Sequence, residues 1–346
     1  MKSLTITSTR TAAGKTTVGL GIALNSGLKC GYYKPYGDHL VYSKKNLHDL
    51  DAMVFHDWLE LGNEVLDGTL GFDADKIIST WNRQELDAVL KNNLEAIAKG
   101  KDIMLVETAR NYSFGGHMDM DSVSLAQRFD SDILLVAEGD VPLILDKVMA
   151  ISKCLEGMVK LKGIVVNKVS EEDREKIEIE IPPVLERRGI KLLGILPKIQ
   201  ELKRGTMRLV LEKLNANIVA GSDGLDKVIE VVQVGALSAE QAMKMPTFFK
   251  DNKALITGGD RADLIFASLN TNTAGIILTN NILPHPKIIA KAEDMNIPII
   301  SVHMDTFTTA KAVEHIVAEI TPGDEDKKQL IKDMAKKELD MDAILN

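Results

Sequence analysis

Apolar positions along this chain follow two alternating patterns. Leu4–Thr7, Lys29–Lys34, Ile103–Glu107, Ile133–Ala137, Gly163–Asn167 and Lys191–Leu196 are short, and several are apolar at nearly every position. That density predicts strands of a parallel sheet covered on both faces. Between them, Lys15–Ser26, Gln84–Ala98, Val141–Cys154 and Glu171–Arg188 carry helical patterns. The alternation predicts an α/β fold with a doubly wound, mostly parallel sheet. It runs out near residue 200, and residues 200–250 read as mainly helical, with turn signals at Ala220-Gly221-Ser222-Asp223-Gly224. A second, smaller βαβ series follows. Its strands are Ala254–Thr257, Gly275–Thr279 and Pro298–Val302, and its helices Asp260–Leu269, Lys287–Met295 and Thr306–Ile320. The last stretch, "TPGDEDKKQLIKDMAKKELDMDAILN", is highly charged and reads as a surface helix or a frayed tail. The expected domains are therefore 1–205 and 206–322, followed by a charged segment, 323–346.

The first strand runs into "TSTRTAAGKTT", and the helix begins at Gly14-Lys15-Thr16. Strand, tight loop and helix are the context a phosphate-binding loop needs. Successive backbone N–H groups curl round a phosphate at the helix N-terminus. Thr9, Arg10, Thr11, Ala12, Ala13, Gly14, Lys15, Thr16 and Thr17 would line that loop, with Lys15 on the terminal phosphates and the Thr16 hydroxyl on Mg²⁺. Thr9 stands where the usual pattern has glycine. Glu107 ends the strand "IMLVE", where a carboxylate faces the ligand crevice of such sheets and can hold Mg²⁺. Lys34 ends the second strand and is placed to neutralise a transferring phosphoryl group. Asn167, ending "GIVVN", can pair with an adenine edge.

Composition narrows the partners. The formal charge is −8 and aromatics make up 4%, which argues against nucleic-acid binding. Hydrophobic residues reach 45%, enough for real cores in a 346-residue chain. Cys30 and Cys154 have neither metal-ligand nor disulfide spacing. His117, His285 and His303 lack companions at metal spacing. The start lacks a signal-peptide pattern, and no apolar run approaches the roughly 20 residues of a membrane span. A cytoplasmic protein is the expectation.

"TSTRTAAGKTT", Lys34 in "KPYG", Glu107, "VVNK" and "LGILP" occur in this order and at comparable spacing in the dethiobiotin synthetase family of P-loop ATPases, which the chain resembles. The wider group includes corrin amidoligases and the N-terminal part of long phosphotransacetylases. The resemblance implies a P-loop NTPase fold binding ATP, with Mg²⁺ at Thr16 and Glu107 and an acid after the second strand completing the metal site. Asp51 is the best match for that acid and Asp49 the second. In that family threonine normally holds the position of Thr9. The turn after the strand-end acid departs from the family pattern. Thr108-Ala109-Arg110-Asn111 replaces a Gly-rich turn, and the glycines come late, at Gly115 and Gly116. ATP binding rather than dethiobiotin synthesis is expected.

Residues 215–320 resemble the DRTGG domain, with Thr257-Gly258-Gly259-Asp260-Arg261 as the signature segment. In long phosphotransacetylases this domain follows the P-loop domain and the acetyltransferase domain comes after both, so acetyltransferase activity is not expected. Gly258-Gly259 permits a tight strand-to-helix turn with Asp260 as N-cap. The segment reads equally as a structural turn or, with Arg261, as a small anionic ligand's site. Asp305, Thr306, Thr308 and Thr309 form a second polar helix start that could border the same crevice. The expected function is a nucleotide-dependent regulator or slow ATPase, with an ATP-dependent ligase acting on a small carboxylate as the alternative. A homodimer is expected.

Overall fold

The computed structural model describes residues 2–43, 46–199, 201–203, 205–316 and 319–346. The chain divides into two compact units. The first joins Met1–Lys198 to Ile320–Asn346, and the second is Ile199–Glu319.

The first unit opens with β1 (Lys2–Ser8), α1 (Lys15–Asn25) and β2 (Cys30–Tyr33). A hairpin of β3 (Leu40–Ser43) and β4 (Asn46–Asp49) leads into α2 (Leu50–Trp58), α3 (Glu64–Asp67), α4 (Ala74–Thr80) and α5 (Arg83–Ala98). β5 (Ile103–Glu107), α6 (Ser122–Arg128), β6 (Asp132–Ala137), α7 (Val141–Leu155), β7 (Leu161–Val169), α8 (Glu171–Glu186) and β8 (Leu192–Pro197) complete the alternation. Among the described residues the main sheet is parallel, in the order β2-β5-β1-β6-β7-β8. The order reverses at β1, so the crevice at its C-terminal end is where such a sheet binds ligands.

The strands are buried on both faces, as their apolar density requires. On β1, Leu4 and Ile6 alternate with Thr5 and Thr7, and all are buried. The threonines are satisfied inside: Thr5 pairs with the Ser131 hydroxyl at 2.5 Å, and Thr7 accepts from the Thr108 hydroxyl at 2.9 Å. On one side of the sheet Ile133, Leu135, Ile164 and Val166 pack with Val148, Ile151, Ile181 and Leu185 of α7 and α8.

The charged C-terminal segment belongs to the first unit. Its helix Glu325–Glu338 buries Ile331 and Ala335, and Ala335 lies over Gly21 of α1. Asn25 donates to the Lys332 carbonyl at 3.0 Å, and the Trp58 indole to that of Pro322 at 2.8 Å. Beyond the helix, Asp340 donates its backbone N–H to Leu193 at 2.9 Å, covering part of the β8 edge. Its apolar residues recur at helical spacing within a charged run, so charge density masked a packed face.

In the second unit, Val231–Val234, Lys253–Gly258, Thr273–Thr279 and Ile299–Ser301 run parallel, with Asn217–Ala220 antiparallel at one edge. Leu264, Ile265 and Ile288, from helices Ala262–Leu269 and Pro286–Asp294, pack with Leu255, Ile276 and Leu278. Met207, Val210 and Val313 pack with Ile256, Ile277 and Ile300 in a second cluster.

Three expectations need correction. Residues 200–250 are not mainly helical. They hold the strands Asn217–Ala220, Val228–Ile229 and Val231–Val234 around short helical turns, because "VIEVVQV" is a β-branched run. Asp260 is not the N-cap: that position falls on Arg261, with no side-chain cap among the described residues. The last helix of this unit is described over Thr306–Ile316, residues 317–318 lie outside the described residues, and Glu319 and Ile320 are not helical. Among the described residues no helix is long and apolar enough to cross a membrane.

A side chain at Gly21 would bring its Cβ within 2.6 Å of the Ala335 Cβ, whereas Gly323 has open space around it. Gly21→Val is expected to destabilise the protein by about 1–3 kcal/mol in urea unfolding, and Gly323→Ala to stay within about 0.5 kcal/mol. Equal stabilities would show that the C-terminal helix does not pack on α1 in solution.

Candidate functional site

The crevice is built at the C-terminal ends of β1, β2, β5 and β7. β1 ends at Ser8, and the Thr9 N–H donates to the Val136 carbonyl at 3.0 Å, anchoring the loop to β6. The backbone is left-handed at Ala12 (φ 60°) and again at Gly14 (φ 93°). Gly14 is required twice over: its φ favours glycine, and a Cβ there would strike the Asn167 side-chain nitrogen. No side chain among the described residues caps α1, so its first N–H groups face the crevice.

Asn167 braces this loop. Its Nδ2 donates to the Ala13 carbonyl at 2.8 Å, and its Oδ1 accepts from the Lys168 N–H at 2.9 Å. The amide expected on an adenine edge is thus engaged on both ends by backbone. Lys168, not singled out from sequence, donates to the Ala12 carbonyl and pairs with Glu138 at 3.5 Å. Thr9 is buried, and its hydroxyl has no hydrogen-bond partner among the described residues. Arg10, Thr11 and Ala12 are exposed, Ala13 is buried, and Thr17 is half-buried.

Lys15 and Thr16 open α1. Lys15 Nζ donates to the Arg110 carbonyl at 2.9 Å, and the Thr16 hydroxyl to Glu107 Oε1 at 3.1 Å. The other Glu107 oxygen accepts from the Tyr32 hydroxyl at 3.0 Å. Glu107 is almost wholly buried, and burial first, then the charge of Asp51, pushes its pKa up to about 7.

Lys34 is not a surface lysine. It is 1% exposed and paired with three carboxylates: Asp51, Asp38 at 2.5 Å and Asp49 at 3.2 Å. Burial works against its charge, but the surrounding carboxylates raise its pKa above the ordinary lysine value. Asp49 and Asp51 differ in what they hold. Asp49 caps α2, accepting from the N–H groups of Asp51 and Ala52, and also binds those of Asp38 and His39. Asp51 faces Lys34 and, at 3.4 Å, His39. Burial would lift the Asp51 pKa, but Lys34 and His39 hold it well below the carboxylate range. The hydrogen bond to Asp51 raises the His39 pKa to about 9.

Asp38, His39, Tyr32 and Arg110 were not assigned from sequence. The Lys34/Asp38 spacing of four was the available signal, but both sit in a loop that carried no helix pattern. The charged stretch after Lys34 folds as the β3–β4 hairpin, which returns Asp49 and Asp51 to Lys34.

For Mg²⁺, the donor set is hard oxygen: the Thr16 hydroxyl beside Glu107, with Asp51 close enough to shift the Glu107 pKa. Asp38, His39 and Asp51 bring one ligand atom each within 4.8 Å of one another. Asp38 and Asp51 are already paired with Lys34, so the oxygens of Thr16 and Glu107 are the donors that fit a divalent cation beside the loop.

In the second unit, Gly258 and Thr279 end adjacent strands, and the Thr279 and Thr306 hydroxyls lie 3.1 Å apart. Asp305 accepts from the Thr308 N–H and hydroxyl, and Arg261 donates to the Leu237 carbonyl at 2.6 Å. His285 accepts from the Lys287 N–H at the start of its helix.

The sheet order, the left-handed Gly14 and the Lys15–Thr16–Glu107 constellation define a P-loop α/β domain joined to a second α/β unit. Residues 2–206 match the AAA domain family, to which the chain belongs, and residues 209–316 match the DRTGG domain. The chain is 23% identical to a phosphate acetyltransferase of Synechocystis sp., aligned over 99% of this chain and 51% of that protein. A Pseudomonas putida phosphate acetyltransferase is 25% identical over 98% of this chain and 51% of its own. The chain thus spans about half the length of these relatives. It pairs domains as expected from its resemblance to the N-terminal part of long phosphotransacetylases. The cell division protein MinD of Aquifex aeolicus aligns with 58% of this chain and 84% of its own, at 15% identity and a TM-score of 0.38.

The raised Glu107 pKa sets a pH dependence. Its stabilising contribution is complete below the ordinary value of 4.5 and is lost as pH rises through about 7. Without metal, Glu107→Gln should therefore gain on the wild type by on the order of 2 kcal/mol between about pH 5 and about pH 8. Parallel urea-unfolding profiles would exclude the raised pKa.

Proposed function

We propose that the first unit binds ATP with Mg²⁺ and that this occupancy regulates the protein's contacts, with slow hydrolysis at most. The observation that carries the reading is Lys15 and Thr16 at the uncapped start of α1, with the Thr16 hydroxyl on Glu107. Lys15 would bind the terminal phosphates and Lys34 would neutralise charge developing on them. Thr16 and Glu107 would hold Mg²⁺, which supplies charge neutralisation at the phosphates. The DRTGG domain would sense a second small ligand near Gly258–Arg261, and the protein would act in the cytoplasm as a homodimer.

One observation favours a second reading. The Arg110 guanidinium is exposed beside this site and lies 4.4 Å over the Phe114 ring, a ready cation for a small carboxylate. An ATP-dependent ligase would show ATP hydrolysis strongly stimulated by one carboxylate or amine. A regulator would show a low, substrate-independent rate.

Lys15→Ala should weaken ATP binding about tenfold or more by calorimetry, since a charge-assisted contact contributes roughly 1.5–3 kcal/mol. Equal affinity would remove the nucleotide reading. Light scattering should give twice the 38.0 kDa chain mass. A monomer would remove the dimer.

A further inference from the structure

Arg110 lies outside every motif of the site, yet three bonds converge on its backbone. Its carbonyl accepts from Lys15 Nζ at 2.9 Å and, at 3.1 Å, shares the Ser8 hydroxyl with the nearer Arg10 carbonyl, 2.8 Å away. Its N–H donates to Asp38 Oδ2 at 2.6 Å. The residue is left-handed, with φ 44°, a conformation that costs a non-glycine residue energy and has to be held by its surroundings. Asp38 does the holding from the far side of the crevice, because its other oxygen is paired with Lys34. One carboxylate therefore ties the loop after β2 to the turn after β5, and that turn places a carbonyl oxygen on the phosphate-binding lysine.

A carbonyl oxygen on Lys15 satisfies the ammonium group much as a phosphate oxygen would. We propose that Asp38 is a positioning residue: it holds the Arg110 turn so that the carbonyl occupies Lys15 until a phosphate oxygen replaces it. This rests on the nucleotide reading above. Binding then has to break the Lys15–Arg110 bond, and the turn loses one of the contacts that hold its left-handed backbone. The 108–114 segment is thereby the part of the first unit that distinguishes an empty loop from a filled one.

Loosening the turn should tighten nucleotide binding. Asp38→Asn weakens the hold on the Arg110 N–H by removing the charge, and Asp38→Ala removes the acceptor as well. Each variant should bind metal-free ADP about two- to tenfold more tightly than the wild type by calorimetry, the range of one modest hydrogen bond. The Arg110 amide should also exchange faster in empty Asp38→Asn than in empty wild type. A role confined to structural integrity gives weaker binding in both variants and overturns the proposal. Equal tightening in Asp38→Asn and Asp38→Ala overturns it too, because loss of a negative charge alone then suffices. If the wild type binds no ADP, the nucleotide reading fails by itself. The exchange comparison still decides for the turn, and equal Arg110 exchange in wild type and Asp38→Asn overturns it.

Discussion

A lysine buried among carboxylates is the constraint on which the first unit depends. Lys34 is 1% exposed, and a charge in that position is tolerated only with close, well-oriented partners. Those partners come from separate pieces of chain. Asp38 follows β2, Asp49 and Asp51 return through the β3–β4 hairpin, and Glu107 adds its charge from the end of β5. The cluster exists only when β2, β5 and the hairpin are all in place. The hairpin exposes Leu40, Tyr42 and Leu47, so its register owes more to Asp49 binding four backbone N–H groups than to a core beneath it.

The same cluster sets the electrostatics of the crevice. On the β1 side lie Lys15 and the first N–H groups of α1, and on the β2 side an excess of carboxylates around Lys34. Between them lies Glu107, which accepts from the Thr16 hydroxyl and whose pKa is pushed up to about 7 by burial and by Asp51. The two sides of one strand order, β2-β5-β1, therefore differ in their electrostatics. Local folding of each motif would not achieve this. It follows from the central strand pairing Ile6 with Glu107.

Much of this was legible in the sequence, for a physical reason. Strands buried on both faces are apolar at almost every residue, so β1, β5, β6 and β7 stood out. Gly14-Lys15-Thr16 between a strand and a helix has one common structural use. Asp51 ranks ahead of Asp49 by resemblance alone, because a helix cap and an ion-paired carboxylate are alike in sequence. The structure separates them by what they bind. The roles of Asp38 and Arg110 are hard to read from sequence because the bonds that join them to the site run through the Arg110 backbone, to Asp38 and Lys15, 72 and 95 positions away. Asn167, at the end of β7, turns its amide to the backbone of Ala13 and Lys168, a contact that sequence does not display. In the second unit, strands of two to four residues fall below what periodicity resolves, and "NIVA" and "VIEVVQV" were absorbed into a helical reading.

The return of residues 320–346 to the first unit makes the second unit an insertion. The family boundaries, 2–206 and 209–316, leave that returning segment out of both pieces. A fragment cut after residue 206 would keep every residue of the phosphate loop. It would also bare the small-residue face of α1 at Gly21 and the β8 edge at Gly194, both covered by Ala335–Asp340. Such a piece is an aggregation hazard despite a complete motif. A sound dissection would excise Ile199–Glu319 and rejoin the chain across the gap.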